Sequence, residues 1–153
     1  MRKSQAFING ELIETKETYI RENPATLSPL LEVSLSTKKE IDYACNSAYN
    51  AFTTWSQTPP AIRGQKLFQI AAEIKAKAEL LALINTQETG KPINESSIVE
   101  LGGVIRTFEY YAGLATKIKG DSQIVNENLI SFTFKEPIGV VAQILPWNFP
   151  LLM

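Results

Sequence analysis

Residues 144–153 read ILPWNFPLLM, an apolar run interrupted by one amide, Asn148, set between two aromatics and two prolines. A side-chain amide is a neutral donor and acceptor. Just beyond the carboxyl end of a buried strand, where open α/β sheets bind ligands, it could donate to an oxyanion developing in a transition state. Loss of such a contact typically costs about 3–4 kcal/mol. The same position equally suits a helix cap, with Pro150 in the first turn of a helix opening at Phe149–Pro150. The residues alone leave both readings open.

The rest of the 153 residues narrows the chemistry. Histidine is absent, which removes the commonest general base and the commonest metal ligand. With a single cysteine besides, no metal site is expected. Cys45 falls on an apolar stripe between Ile41 and Ala48 with no histidine to activate it, so core packing is the expected role. QETGKP (87–92) ends like a phosphate loop, but Asn85 stands where glycine is required and Pro92 where Ser or Thr is required, so it reads as a helix stop. No G-x-G-x-x-G occurs. Glu88, Glu95 and Glu100 are expected on solvated helix faces rather than as an acid–base pair.

Net charge is −1, which leaves no electrostatic footprint for nucleic acid or an anionic membrane. Trp55, Phe108, Tyr110, Tyr111 and Trp147, lacking a basic groove, suit core and interface roles better than base stacking. No apolar run approaches a membrane span, and the start MRKSQAFINGEL has no apolar signal core. The lone thiol forms no internal disulfide, which fits a cytoplasmic protein.

Several elements must position these groups. FINGEL (7–12) reads as two strand pieces around an Asn9–Gly10 turn. In ENPATLSPLLEVSLS (22–36) a proline-punctuated loop leads to an expected edge strand. Thr37 and Glu40 have capping-box spacing. Ile41, Cys45, Ala48, Phe52 and Trp55 then make one apolar face of a helix stopping near Gln57. A second helix opens at Pro59–Pro60 with a stripe of Leu67, Ile70, Ala71 and Ile74, breaks near 77–78, and resumes until Gly90. A third runs from about Glu95 to Lys117 on Ile98, Leu101, Ile105, Phe108 and Ala112. Gly102 and Gly103 inside it cost roughly 1 kcal/mol each against alanine, which points to close packing. Beyond Gly120 the period becomes two at Ile130, Phe132 and Phe134. GVVAQIL (139–145) then reads as a strand buried on both faces of a parallel sheet.

Taken together, FINGEL, ENPAT, AFTTWSQTPPAIRGQKLFQIAAEI, QETGKP, FEYYAG and above all KEPIGVVAQILPWNFPLLM resemble the N-terminal part of the NAD(P)-dependent aldehyde dehydrogenases over essentially the whole chain. The resemblance implies an incomplete α/β fold, with N-terminal helices and strands leading into the first strand of a Rossmann-like cofactor domain. It assigns residues 1–121 to the helical part of that domain, 122–136 to the strand arm of an oligomerisation domain, and 137–153 to the start of the cofactor-binding sheet. It makes Asn148 the side-chain donor of the oxyanion hole. It also places Ile144, Leu145, Pro146, Trp147 and Asn148 along the NAD or NADP cleft, and implies an aldehyde substrate and a homo-oligomer. The family's catalytic cysteine and general-base glutamate lie downstream of this motif, and Cys45 does not match the nucleophile's context. The chain is therefore expected to be a shortened member, inactive alone. The alternatives are a non-catalytic module that pairs with a full-length relative and a product without function, whose apolar strand edge would aggregate.

Overall fold

Short strands open the chain in the computed structural model, which describes residues 2–153. Strand β1 (Arg2–Ser4) is followed by a hairpin of β2 (Ala6–Ile8) and β3 (Glu11–Ile13), then by β4 (Glu17–Glu22) and β5 (Pro29–Leu35). The hairpin turns where expected: Asn9 and Gly10 lie at φ 54° and 83°, the paired positive φ that matches the twist of the flanking strands. The remaining three strands form a sheet in the order β1-β5-β4, with β1 parallel and β4 antiparallel to β5. The segment expected to be an edge strand is thus the central one. Its second partner is the charged tripeptide at the N-terminus, which shows no strand periodicity of its own. Pairing on both sides carries Leu31 into the core.

Helix α1 (Lys38–Trp55) starts on the anticipated capping box, with Thr37 accepting from the Lys39 amide and Glu40 accepting from the Thr37 amide at 2.7 Å. Its apolar face exists but is largely uncovered among the described residues. Ile41, Cys45 and Ala48 are exposed, Phe52 is half-buried, and the helix fully buries no residue. The expectation that Cys45 packs in the core is therefore wrong: periodicity gave the face correctly, whereas burial needs a neighbour.

Helices α2 (Pro60–Ala76) and α3 (Ala78–Thr89) are separated at Lys77, and α3 ends on Gly90 at φ 79°, the left-handed stop glycine supplies cheaply. The third long helix has two parts. Glu95–Leu101 is a π-helical segment, and α4 (Gly102–Leu114) continues it as regular α-helix. The π segment has wider turns and shifts the phase of everything upstream of it. Leu101, Val104 and Ala112 are buried as an α stripe requires, but Ile98 is 70% exposed, and Ser96 and Glu100 are turned inward instead. The core sits where α2 crosses α4. There the Gly64 backbone lies against Ala112, so close that a Cβ at 64 would stand 2.7 Å from the Ala112 carbonyl oxygen.

An antiparallel hairpin of β6 (Ser122–Asn126) and β7 (Leu129–Phe132) follows, as the alternation predicts, with every residue exposed. Residues 139–145 belong to no strand pair, and Val141, Ile144 and Leu145 are exposed. The strand expected to be buried on both faces is not formed, because no strand among the described residues lies beside it to supply ladder bonds. No helix is long and apolar enough to cross a membrane among the described residues.

Candidate active-site turn

The end of α3 and the π segment face each other through polar side chains. Asn85, Ser96 and Glu100 are all buried, Glu100 completely. Ser96 and Glu100, four apart, lie on one face of the helix, and both are turned inward. Asn85 Nδ2 donates to Glu100 Oε2 at 2.6 Å and reaches Ser96 Oγ at 3.3 Å; Thr86 Oγ1 donates to the same hydroxyl at 2.8 Å. The carboxylate dictates the orientation of Asn85, since the reverse flip would set carbonyl oxygen against carboxylate. Asn85 Oδ1 is left without a donor among the described residues, an arrangement that costs about 1–3 kcal/mol. The attraction of the buried charge for its donors offsets it.

Lys91 follows the helix stop at Gly90 and completes the cluster. Its ammonium donates to Glu100 Oε2 at 2.6 Å and to the Asn148 carbonyl oxygen at 2.7 Å, and stands 4.5 Å from the centroid of the Phe149 ring. The remaining carboxylate oxygen, Glu100 Oε1, accepts the Leu151 backbone N–H at 3.0 Å. Burial opposes ionisation of Glu100. The hydrogen bonds from Lys91, Asn85 and Leu151, together with the Lys91 charge, outweigh it and hold the carboxyl below its ordinary value. The expectation of a solvated Glu100 is thus overturned: it lies one turn before buried Val104, on the inward face, where three donors converge on it. Glu95 remains exposed, as expected, and Glu88 is half-buried.

These contacts fix the segment that carries Asn148. Phe149 C=O accepts from the Met153 N–H at 3.0 Å, forming one helical turn. This places Phe149 at the cap position, Pro150 first in the turn and Leu151 second. The cap position thus falls on Phe149, which has no polar side chain, and the free Leu151 N–H is taken by Glu100 from another helix. The reading of Asn148 as the cap is corrected accordingly: its carbonyl is held by Lys91, while the residue is exposed. Leu152 locks the turn from the other side, lying over Gly103 where a Cβ would come within 3.2 Å of its Cδ1. Of the glycine pair inside the third helix, Gly103 therefore has the close packing expected of it.

The other residues assigned to the site form an open strip leading into this turn. Ile144 is 100% and Trp147 85% exposed, and Leu145 and Pro146 also face solvent. Cys45, on α1, is a free, exposed thiol. Sequence reasoning missed Lys91, Asn85 and Glu100 as members of the site. The available signal was Ser96 and Glu100, two polar residues four apart, replacing apolar ones where the stripe of the third helix should have continued.

The model of the aldehyde dehydrogenase family matches residues 12–153. The chain is 39% identical to mouse (Mus musculus) retinaldehyde dehydrogenase 3, over 98% of this chain and 30% of that protein. It is 38% identical to aldehyde dehydrogenase B of Escherichia coli over 96% of this chain and 29% of that one. Among solved structures it superposes on the aldehyde dehydrogenase KauB from Pseudomonas aeruginosa with a TM-score of 0.95 at 32% identity, covering 100% of this chain and 32% of that one. Betaine aldehyde dehydrogenase from Staphylococcus aureus, in complex with NAD+, gives 0.90 at 38% identity, covering 97% and 30%. The chain spans about 30% of the length of the curated relatives it matches. An incomplete mixed α/β fold agrees with all of these matches: the chain belongs to the aldehyde dehydrogenase family.

Proposed function

We propose that this chain supplies the oxyanion donor and one wall of the cofactor cleft of an NAD- or NADP-dependent aldehyde dehydrogenase, which oxidises an aldehyde to a carboxylic acid. One observation carries the reading: Asn148 is exposed while its own carbonyl is held by Lys91 and the Leu151 amide, three residues on, by Glu100. A donor fixed before the reaction begins lowers the barrier without reorganising during it. When a cysteine thiolate adds to the aldehyde carbonyl, negative charge grows on oxygen, and Asn148 Nδ2 donates to it. The strip Ile144–Trp147 joins no strand pair among the described residues and is open and apolar. It fits the flat, partly apolar nicotinamide end of a dinucleotide. That group, when bound, would supply the hydride acceptor, and the chain's own part is to line its cleft and hold the oxyanion donor.

The exposed hairpin and the uncovered face of α1 support a chain that works against other protein surface rather than alone. Residues 122–136 serve as the strand arm of a cytoplasmic homo-oligomer, between a helical part (1–121) and the opening of the cofactor sheet (137–153). Alone, the chain oxidises no aldehyde, because its one thiol, Cys45, is on α1 with no histidine to activate it.

The test is a chimera in which the chain replaces the matching 29% of Escherichia coli aldehyde dehydrogenase B. NAD(P)-dependent aldehyde oxidation is expected. Asn148→Ala should lower kcat by about 10²–10³-fold with KM little changed, the pattern of a contact made only in the transition state. An Asn148→Ala chimera with undiminished kcat would overturn the assignment.

A further inference from the structure

We infer that Glu100 and Lys91 are positioning residues for Asn148: Glu100 caps the Phe149–Met153 turn in place of a local side chain, and this releases the Asn148 amide to face substrate. The inference rests on the proposed role of Asn148 and extends it to two residues that touch neither substrate nor cofactor.

Four observations carry it. First, the turn lacks its own cap. Phe149 occupies the cap position and Pro150 has no N–H, so Leu151 presents the first free amide. Asn148, one residue before the cap, is the nearest polar side chain, and asparagine near a helix start readily folds back on such amides. Second, the Leu151 amide is already engaged by Glu100 Oε1 at 3.0 Å, so the local competitor for the Asn148 side chain is removed. Third, Lys91 spans the other carboxylate oxygen and the Asn148 carbonyl at 2.6 and 2.7 Å. The backbone is thus gripped at the Asn148 carbonyl, directly after the Cα that carries the amide, and again three residues on. Fourth, Glu100 is fully buried on the inward face of its segment with both carboxylate oxygens engaged, so its side chain is fixed in the direction of the turn.

The chemistry demands a carboxylate. Three donors, from Lys91, Asn85 and Leu151, converge on its two oxygens. Glutamine in the same place has one acceptor oxygen and one NH2, so at least one of the three would meet another donor.

The experiment is residue-resolved amide hydrogen exchange on the full chain. Glu100→Gln should speed exchange at Leu151 by about tenfold or more, the loss of one charge-assisted bond, while amides of α2 and the second half of α4 keep their rates. Asn148→Ala, an exposed substitution that leaves the fold intact, should leave Leu151 unchanged. If Asn148→Ala speeds Leu151 and Glu100→Gln does not, Asn148 is the cap and the inference fails. Should Glu100→Gln loosen the whole chain, the Asn148→Ala arm still decides. In the chimera, Glu100→Gln should lower kcat by about tenfold or more, as displacing a reacting group does, with KM little changed. On the Asn148→Ala background it should have no further effect on kcat; an equal loss on both backgrounds would show a merely structural role. Exchange reads the tether without any turnover, so a failed tether and a failed oxyanion role give different results.

Discussion

Replacing Lys91 by methionine keeps most of the side-chain volume and removes the charge. The Lys91–Glu100 pair is well buried, with side chains 12% and 0% exposed, so solvent does not screen it. Removing one member of a buried ion pair costs about 3–5 kcal/mol, because the other charge is left uncompensated. Glu100 keeps two donors here, Asn85 and Leu151, which argues for the lower end, about 3 kcal/mol. At about 2–4 °C per kcal/mol for a chain of this size, the melting temperature should fall by roughly 6–12 °C, and a urea titration should show the same loss. Adding Glu100→Gln should restore part of the stability, since it removes the stranded charge. The pH dependence should also reverse. In the native protein Glu100 is held below its ordinary value. Its contribution is therefore complete above the unfolded carboxylate pKa and is lost as pH falls through the lower folded one. In Lys91→Met, burial acts with its chief opponent gone. The variant should gain stability as pH falls from neutrality toward the carboxylate range, where the native protein gains none from this group. A loss under about 1 kcal/mol, or Glu100→Gln failing to rescue, would refute the view that the pair is held by charge.

Gly64→Ala should destabilise despite the better helix propensity of alanine. Its Cβ would press on the Ala112 carbonyl at 2.7 Å, and overpacking of about 1–3 kcal/mol exceeds the propensity gain of about 1; a melt higher than the native one would show that α2 and α4 separate freely. Thr37→Ala should cost about 1 kcal/mol by denaturant titration through loss of the cap of α1, and Thr37→Ser should recover most of it. Cys45 should react stoichiometrically with a thiol reagent in native buffer at a rate close to that in denaturant, because it is exposed; slow labelling that needs denaturant would contradict the placement of α1.

What was legible in the residues was whatever local chemistry decides. Asn9–Gly10, the Thr37–Glu40 box, the break at Lys77 and the Gly90 stop each act over a few residues, and each stands where the spacing put it. What was not legible was which faces find a neighbour. The stripe of α1 is real yet exposed, and GVVAQIL has strand composition with no ladder partner beside it. The Asn148 motif marked the candidate site. The residues that hold it stand 48 and 57 positions upstream, across which no local rule operates. Glu100 was further disguised because a charged residue on a helix is expected to face solvent.

That segment has a genetic consequence. A π-helical turn holds one residue more than the α-helix on either side can absorb. Deleting the Ser97 codon would let the helix close up as regular α while Glu100 keeps its phase with α4. Ser96 would then stand three residues before Glu100 instead of four, and at about 100° per residue its angle to the carboxylate, and so to Asn85, would change. Such a deletant would be a more regular helix with its polar seam reset. The extra residue works as a vernier, trading helical regularity for the angle between one hydroxyl and one carboxylate.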